Sequence, residues 1–142
     1  MAELSAEEAV AAARRELGLD GGAAGSALRV RRLDREGAAY YLVMFGDDHA
    51  TVAVAALDAD DGRLESAARL PGRTAHLSVG RERARELAGL GQTARAELVW
   101  APCRATRSQL YPLWEVSDGG ARVFVDQRGG VWRSLDAGGP GG

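Results

Sequence analysis

The stretch LYPLWEVSDGGARVFVDQRGGVW, Leu110 to Trp132, decides the fold. Two glycine-bearing turns, SDGG and QRGG, separate three runs rich in Val, Phe and Trp. That pattern reads as strand, turn, strand, turn, strand. A related phrase, YYLVMFGDDHATVAVAALDADDGRL, lies some seventy residues earlier, from Tyr40 to Leu64. Each phrase follows a helical segment. In SAEEAVAAARRELGL, Ser5 and Glu8 have capping-box spacing, Ala6, Ala9, Val10, Ala13 and Leu17 share a face, and Gly18 supplies a stop. In SVGRERARELAGL, a second helix is expected over 78–90, with Gly89 as its stop.

The repetition has a nearly constant spacing. Gly18 and Gly89 stand 71 apart, as do Tyr40 and Tyr111. Asp58 and Asp126 stand 68 apart, as do Gly62 and Gly130. Helix stop, aromatic strand and Asp-x-x-x-Gly hairpin recur in one order, which is the mark of a duplicated unit. A single unit of helix and strands is too small to bury its own apolar face well, so two are expected to share a core. The expected fold is α+β: two αββββ-type units, a helix on an antiparallel sheet in each, packed together. The first covers 1–72 and the second 73–136, with a disordered glycine-rich tail at 137–142. Tyr41, Val43 and Phe45 alternate with Tyr40, Leu42 and Met44, so that strand is expected to be covered on both sides or to lie in a homodimer interface.

The residues carrying this pattern resemble the C-terminal signature of PepSY and PepSY-like domains. That family shows a helix opening with Glu-Glu-Ala, an aromatic strand Tyr-x-x-Trp-x-Val, and a hairpin leading to Val-x-Val-Asp-x-x-x-Gly. Tyr111, Trp114, Val116, Val123, Val125, Asp126 and Gly130 occupy the matching places. VAALDADDGRL is a looser copy of the same hairpin. The chain thus resembles two such units in tandem over most of residues 5–135. The resemblance implies a helix packed on an antiparallel sheet and a non-catalytic role. Such domains accompany the propeptides of thermolysin-type metalloproteases and occur in cell-envelope proteins, where inhibition or binding is usually proposed.

Bulk properties narrow the function classes. The chain has 142 residues and a formal net charge of -2, which gives no global attraction to nucleic acid or membrane. All 18 basic residues are arginine, and lysine, asparagine and isoleucine are absent. This reads as the coding bias of a GC-rich, bacterial genome, so arginine richness alone does not signal phosphate recognition. The cluster Arg29, Arg31, Arg32 and Arg35 has no interleaved aromatics and reads as a solvated strand. The opening residues MAELSAEEAV lack the basic start and apolar core of a secretory leader, and no apolar run reaches the roughly 18 residues of a membrane helix. A cytoplasmic protein is expected.

Candidates for chemistry are few. Cys103 is the single cysteine, flanked by Arg104 and Arg107, which can lower a thiol pKa. A cysteine nucleophile also needs a base, and the only histidines are His49 and His76. The turn Asp47, Asp48, His49 offers metal-ligand types, as does Asp58, Asp60, Gly62, but both have the composition of hairpin turns. No metal or other cofactor is expected. Arg104, Arg107 and Tyr111 share a loop beside the aromatic strand and are the candidate binding residues for an anionic peptide terminus or acidic partner. The leading expectation is a non-enzymatic binding or regulatory module recognising a protein or peptide, with inhibition as one form that the PepSY resemblance implies. The alternatives are a small thiol- or metal-assisted hydrolase using Cys103 or the Asp47–His49 turn, and an assembly domain for the product of an adjacent gene.

Overall fold

The computed structural model describes residues 3–19, 21–47 and 49–135. The glycine-rich tail from 137 onward and Asp48 of the candidate metal turn lie outside the described residues. The fold is α+β and mostly strand. Its elements run α1 (Ala6–Leu17), β1 (Gly25–Arg32), β2 (Ala39–Asp47), β3 (Ala50–Asp58), β4 (Leu64–Arg69), α2 (Arg81–Ala88), β5 (Arg95–Trp100), β6 (Leu113–Asp118), β7 (Ala121–Val125) and β8 (Val131–Trp132). The chain divides into two compact units. The first comprises residues 1–31 and 37–76, the second residues 32–36 and 77–142. The turn Arg32–Glu36 therefore belongs to the second unit, where the Leu33 amide donates to the Trp100 carbonyl at 2.9 Å.

In the first unit, four strands form an antiparallel meander in the order β4-β3-β2-β1. Helix α1 starts where local chemistry dictates. The Ser5 hydroxyl accepts from the Glu8 amide at 3.1 Å, and the Glu8 carboxylate accepts from the Ser5 amide at 2.9 Å. It ends at Gly18, whose φ of 64° lets the Gly18 and Leu19 amides fold back onto the Arg15 and Arg14 carbonyls. Ala9 and Ala13 are fully buried, and Val10 and Leu17 pack partly beside them, while Ala6 is exposed. Small side chains let the helix sit close on Tyr41, Val43 and Phe45 of β2 and on Ala53, Ala55 and Leu57 of β3. Tyr40 and Leu42, on the opposite face of β2, are also fully buried, as their unbroken apolar run requires.

The second unit repeats the order: helix α2, then a meander β5-β6-β7-β8. Helix α2 is shorter than its sequence pattern suggests. Gly80, not Ser78, is the N-cap, and it offers no side-chain acceptor. Gly89 stops the helix with a φ of 68°. Val79 stays outside because both of its backbone groups are used by the sheet. Its carbonyl accepts from the Trp114 indole at 2.7 Å, and its amide donates to the Gln127 side-chain oxygen at 2.9 Å.

Those two bonds have counterparts in the first unit. Leu4 precedes the N-cap of α1 as Val79 precedes that of α2. The Leu4 carbonyl accepts from the Tyr41 hydroxyl, and its amide donates to the Ala59 carbonyl, both at 2.8 Å. Tyr41 pairs with Leu57, one residue before Asp58; Trp114 pairs with Val125, one residue before Asp126. The equivalent aromatics are thus Tyr41 and Trp114, not Tyr40 and Tyr111. Tyr111 lies ahead of β6 in a turn closed by its amide on the Ser108 carbonyl, and Pro112 brings no amide that could extend the strand backward.

The hairpin aspartates also match. Asp58 accepts from the amides of Asp60 and Asp61, at 2.8 and 3.2 Å. One oxygen of Asp126 accepts from the amides of Arg128 and Gly130, at 2.9 and 2.8 Å, and the other from the Trp132 indole at 2.8 Å. The first hairpin is one residue longer, so the left-handed position is filled by Gly62 in one (φ 75°) and by Gly129 in the other (φ 86°). Gly130 is required for space: a Cβ there would meet the Asp126 carboxylate at 2.8 Å. Arginines stack over aromatic rings in both units, Arg14 on Phe45, Arg32 on Trp100, Arg81 on Trp114 and Arg122 on Phe124, at 5.0 to 5.4 Å.

Replacing Asp126 with Ala orphans an indole and two amides, with an expected loss of about 3 kcal/mol in urea unfolding. Asp58→Ala, which releases only two amides of an exposed turn, is expected to cost about 1 kcal/mol. Equal losses at the two positions would contradict the extra role given to Asp126 through Trp132.

A candidate binding groove in the second unit

The register of the second unit sorts its side chains by face. Val99 pairs with Leu113, and Phe124 lies opposite Glu115, two residues on, so Val99, Leu113 and Phe124 share one face. Trp114, held by the residue ahead of α2, points to the other. The loop after β5 covers the first face and folds on itself through short bonds. The Cys103 amide donates to the Thr106 carbonyl at 3.0 Å, and the Leu110 amide to the Ser108 hydroxyl at 3.1 Å. This seats Cys103 in a small apolar cluster with Val99, Leu113 and Phe124, and Leu33, Trp132 and Leu135 pack around it.

Beside that cluster lies a groove of about 640 Å³, a size typical of ligand sites. Leu33, Cys103, Phe124 and Leu135 give it an apolar wall, and Asp34, Arg122 and Arg133 line it with charge. All of these belong to the second unit. The Asp34 carboxylate is taken by Arg32 in a two-pronged pair at 3.0 and 2.8 Å. Hydrogen bonding from Arg32 holds the Asp34 carboxyl below its ordinary range, so it stays ionised and paired. Arg122 lies over Phe124 and reaches the Glu115 carboxylate only at 3.8 Å. A second cleft, about 590 Å³ beside α2, is lined by Glu82, Arg85, Glu86, Gly89, Gly91 and Gln92. Arg85 pairs with Glu82, and Arg83 with Glu86, so its charges are spent within the helix.

The residues singled out by the sequence fall as follows. Arg104, Arg107 and Tyr111 are exposed on the loop that carries Cys103, and none of them lines the groove. Cys103 is 3% exposed. The second unit's sequence contains no histidine, since His49 and His76 both belong to the first. The Asp47 carboxylate accepts from the His49 amide at 2.8 Å, the bond of a turn. Among the described residues, no group of three His, Cys, Asp or Glu side chains is gathered to hold a metal. Of the arginine cluster on β1, Arg29 is engaged by Glu3 at 2.9 and 2.7 Å and Arg32 by Asp34, which leaves neither facing solvent as a bare cation. Arg122 and Arg133 escaped the sequence reading. The only linear trace is the alternation Arg122, Phe124 in β7, which puts a cation beside the apolar end of that face, where Glu115 and Ser117 also lie.

No helix among the described residues is long and apolar enough to cross a membrane. Compared with known proteins, the chain matches no family model, no curated protein and no solved structure.

Two outcomes test this geometry. Native Cys103 is expected to react with a thiol reagent at least about a hundredfold more slowly than in urea, because reaction requires local opening. Asp34→Asn is expected to cost up to about 1 kcal/mol at neutral pH. A lowered carboxylate pKa stabilises the folded state above the ordinary value of 3.8, and this contribution is lost as pH falls through the folded value. The difference between wild type and Asp34→Asn in urea midpoint should therefore vanish in acid; a constant difference would refute the pairing.

Proposed function

We propose that the protein is a non-catalytic binding module, built from two PepSY-like units of common origin, which engages a protein or peptide partner through the groove of its second unit. The observation that carries this reading is the composition of that groove: an apolar wall of Leu33, Phe124 and Leu135 beside Arg122 and Arg133. Apolar walls supply affinity, and a few convergent polar groups fix orientation. Cys103 lines the same wall but is only 3% exposed, so it adds apolar surface rather than a reactive group. The matched bonds at Leu4 and Val79 support common origin, because in both halves they tie the same backbone groups to the second-strand aromatic and to the residue after the hairpin aspartate.

Selection against random peptides, displayed once with free C-termini and once with free N-termini, tests the proposal. Enriched sequences should bind the wild type and lose at least about tenfold in affinity to Leu33→Arg, which fills the groove with charge. Binders indifferent to that substitution, or no enrichment from either library, would overturn it. Circular dichroism and the urea midpoint confirm that the variant is folded.

A further inference from the structure

The same groove carries a sharper statement, which rests on the reading above. We propose that its ligand is the C-terminal end of an extended peptide, with an apolar last side chain on Phe124 and Leu135 and the terminal carboxylate on Arg122 and Arg133.

Charge comes first. The described lining contains two guanidiniums and one carboxylate. That carboxylate, Asp34, is already neutralised by its two-pronged bond to Arg32. Arg133 is exposed and has no ion-pair partner among the described residues. Arg122 is tied to Glu115 only loosely, at 3.8 Å, and its side chain is 62% exposed. A ligand carboxylate therefore meets Arg133, which has no ion pair among the described residues, and Arg122, which is held only at long range, and guanidinium matches carboxylate in two-pronged geometry. The apolar wall beside it rejects a fully hydrated small anion and favours a carboxylate joined to a hydrocarbon side chain.

The sheet edge then selects a peptide over a simple fatty acid. Strand β8 pairs only with Phe124 and Val125 and ends at Trp132, whose indole is fixed on Asp126. The chain leaves the sheet there, and Arg133, Ser134 and Leu135 turn to line the groove. Among the described residues, Ala121, Arg122 and Val123 of β7 have no strand neighbour on the side away from β6. Of these three, only Arg122, in phase with Phe124 and Asp126, turns its amide and carbonyl away from β6, and among the described residues no strand takes them; Arg122 also stands at the same place on the strand as the groove. A peptide can use this edge and the groove together; an acyl chain can use only the groove.

The probes are acetyl-Val-Thr-Val-Leu as the free acid, the same peptide as its carboxamide, and octanoate, each titrated by calorimetry into the full chain. The free acid is expected to bind, more weakly as salt rises. The carboxamide should bind about tenfold to a hundredfold more weakly. Arg133→Ala and Arg122→Ala should each reduce affinity for the acid and leave the carboxamide unchanged, while Arg83→Ala on α2 alters neither. Equal binding of acid and carboxamide would overturn the terminal-carboxylate assignment and leave a groove-binding module standing. Octanoate binding as tightly as the peptide would overturn the strand-addition part in favour of a small amphiphilic acid. Absence of binding by all three would overturn the inference, while groove-dependent binders from the display selection would still uphold the broader reading.

Discussion

One residue ahead of each helix holds each unit together. Leu4 and Val79 give both backbone groups to the sheet: the carbonyl to an aromatic of the second strand, the amide to the residue following the hairpin aspartate. A helix packed on a sheet through alanines or a single short face could slide or rotate at little cost. Two hydrogen bonds at its entry point, one through the carbonyl and one through the amide, remove that freedom, because buried polar groups released from their partners carry a desolvation penalty. Everything downstream inherits the constraint. The aromatic is fixed over the helix start, the hairpin is fixed against it, and the opposite face of the strand is fixed in turn.

The two halves reach this arrangement with different chemistry. The first uses a phenol and a backbone carbonyl; the second uses an indole and a glutamine side chain. The glutamine also reaches back to the Pro112 carbonyl, at 3.4 Å, so the second unit ties its entry point to the start of β6 as well. That difference matches their helices. The first has a full capping box, whereas the second starts at a glycine without a side-chain acceptor. The second helix leans on the sheet for what the first obtains from its own sequence.

Local features were legible in the sequence and non-local ones were not. Ser5, Glu8, Gly18 and Gly89 act within one helical turn of their own position, so spacing alone placed them. The Asp58 and Asp126 turns are equally local. The aromatic equivalence failed because offsets count residues, whereas hydrogen-bond register counts strand partners. A hairpin one residue longer and a strand that begins after Pro112 were enough to move the match from Tyr40 and Tyr111 to Tyr41 and Trp114. The groove was illegible for a related reason. It joins a turn at Leu33, a loop at Cys103, a strand at Phe124 and a terminal segment at Leu135, and nothing in linear order brings these four together.

The rings of Phe45, Trp100, Trp114 and Phe124 each lie under a guanidinium, and the chain contains no lysine at all. Guanidinium stays protonated throughout the range in which proteins fold, so this set of positive charges is permanent. Its side chains offer nothing for acetyltransferases or ubiquitin ligases that act on lysine amines. Lysine acetylation, the common chemical means of erasing positive charge, has no side-chain amine here to act on, so the charge on these rings is not adjustable by that route.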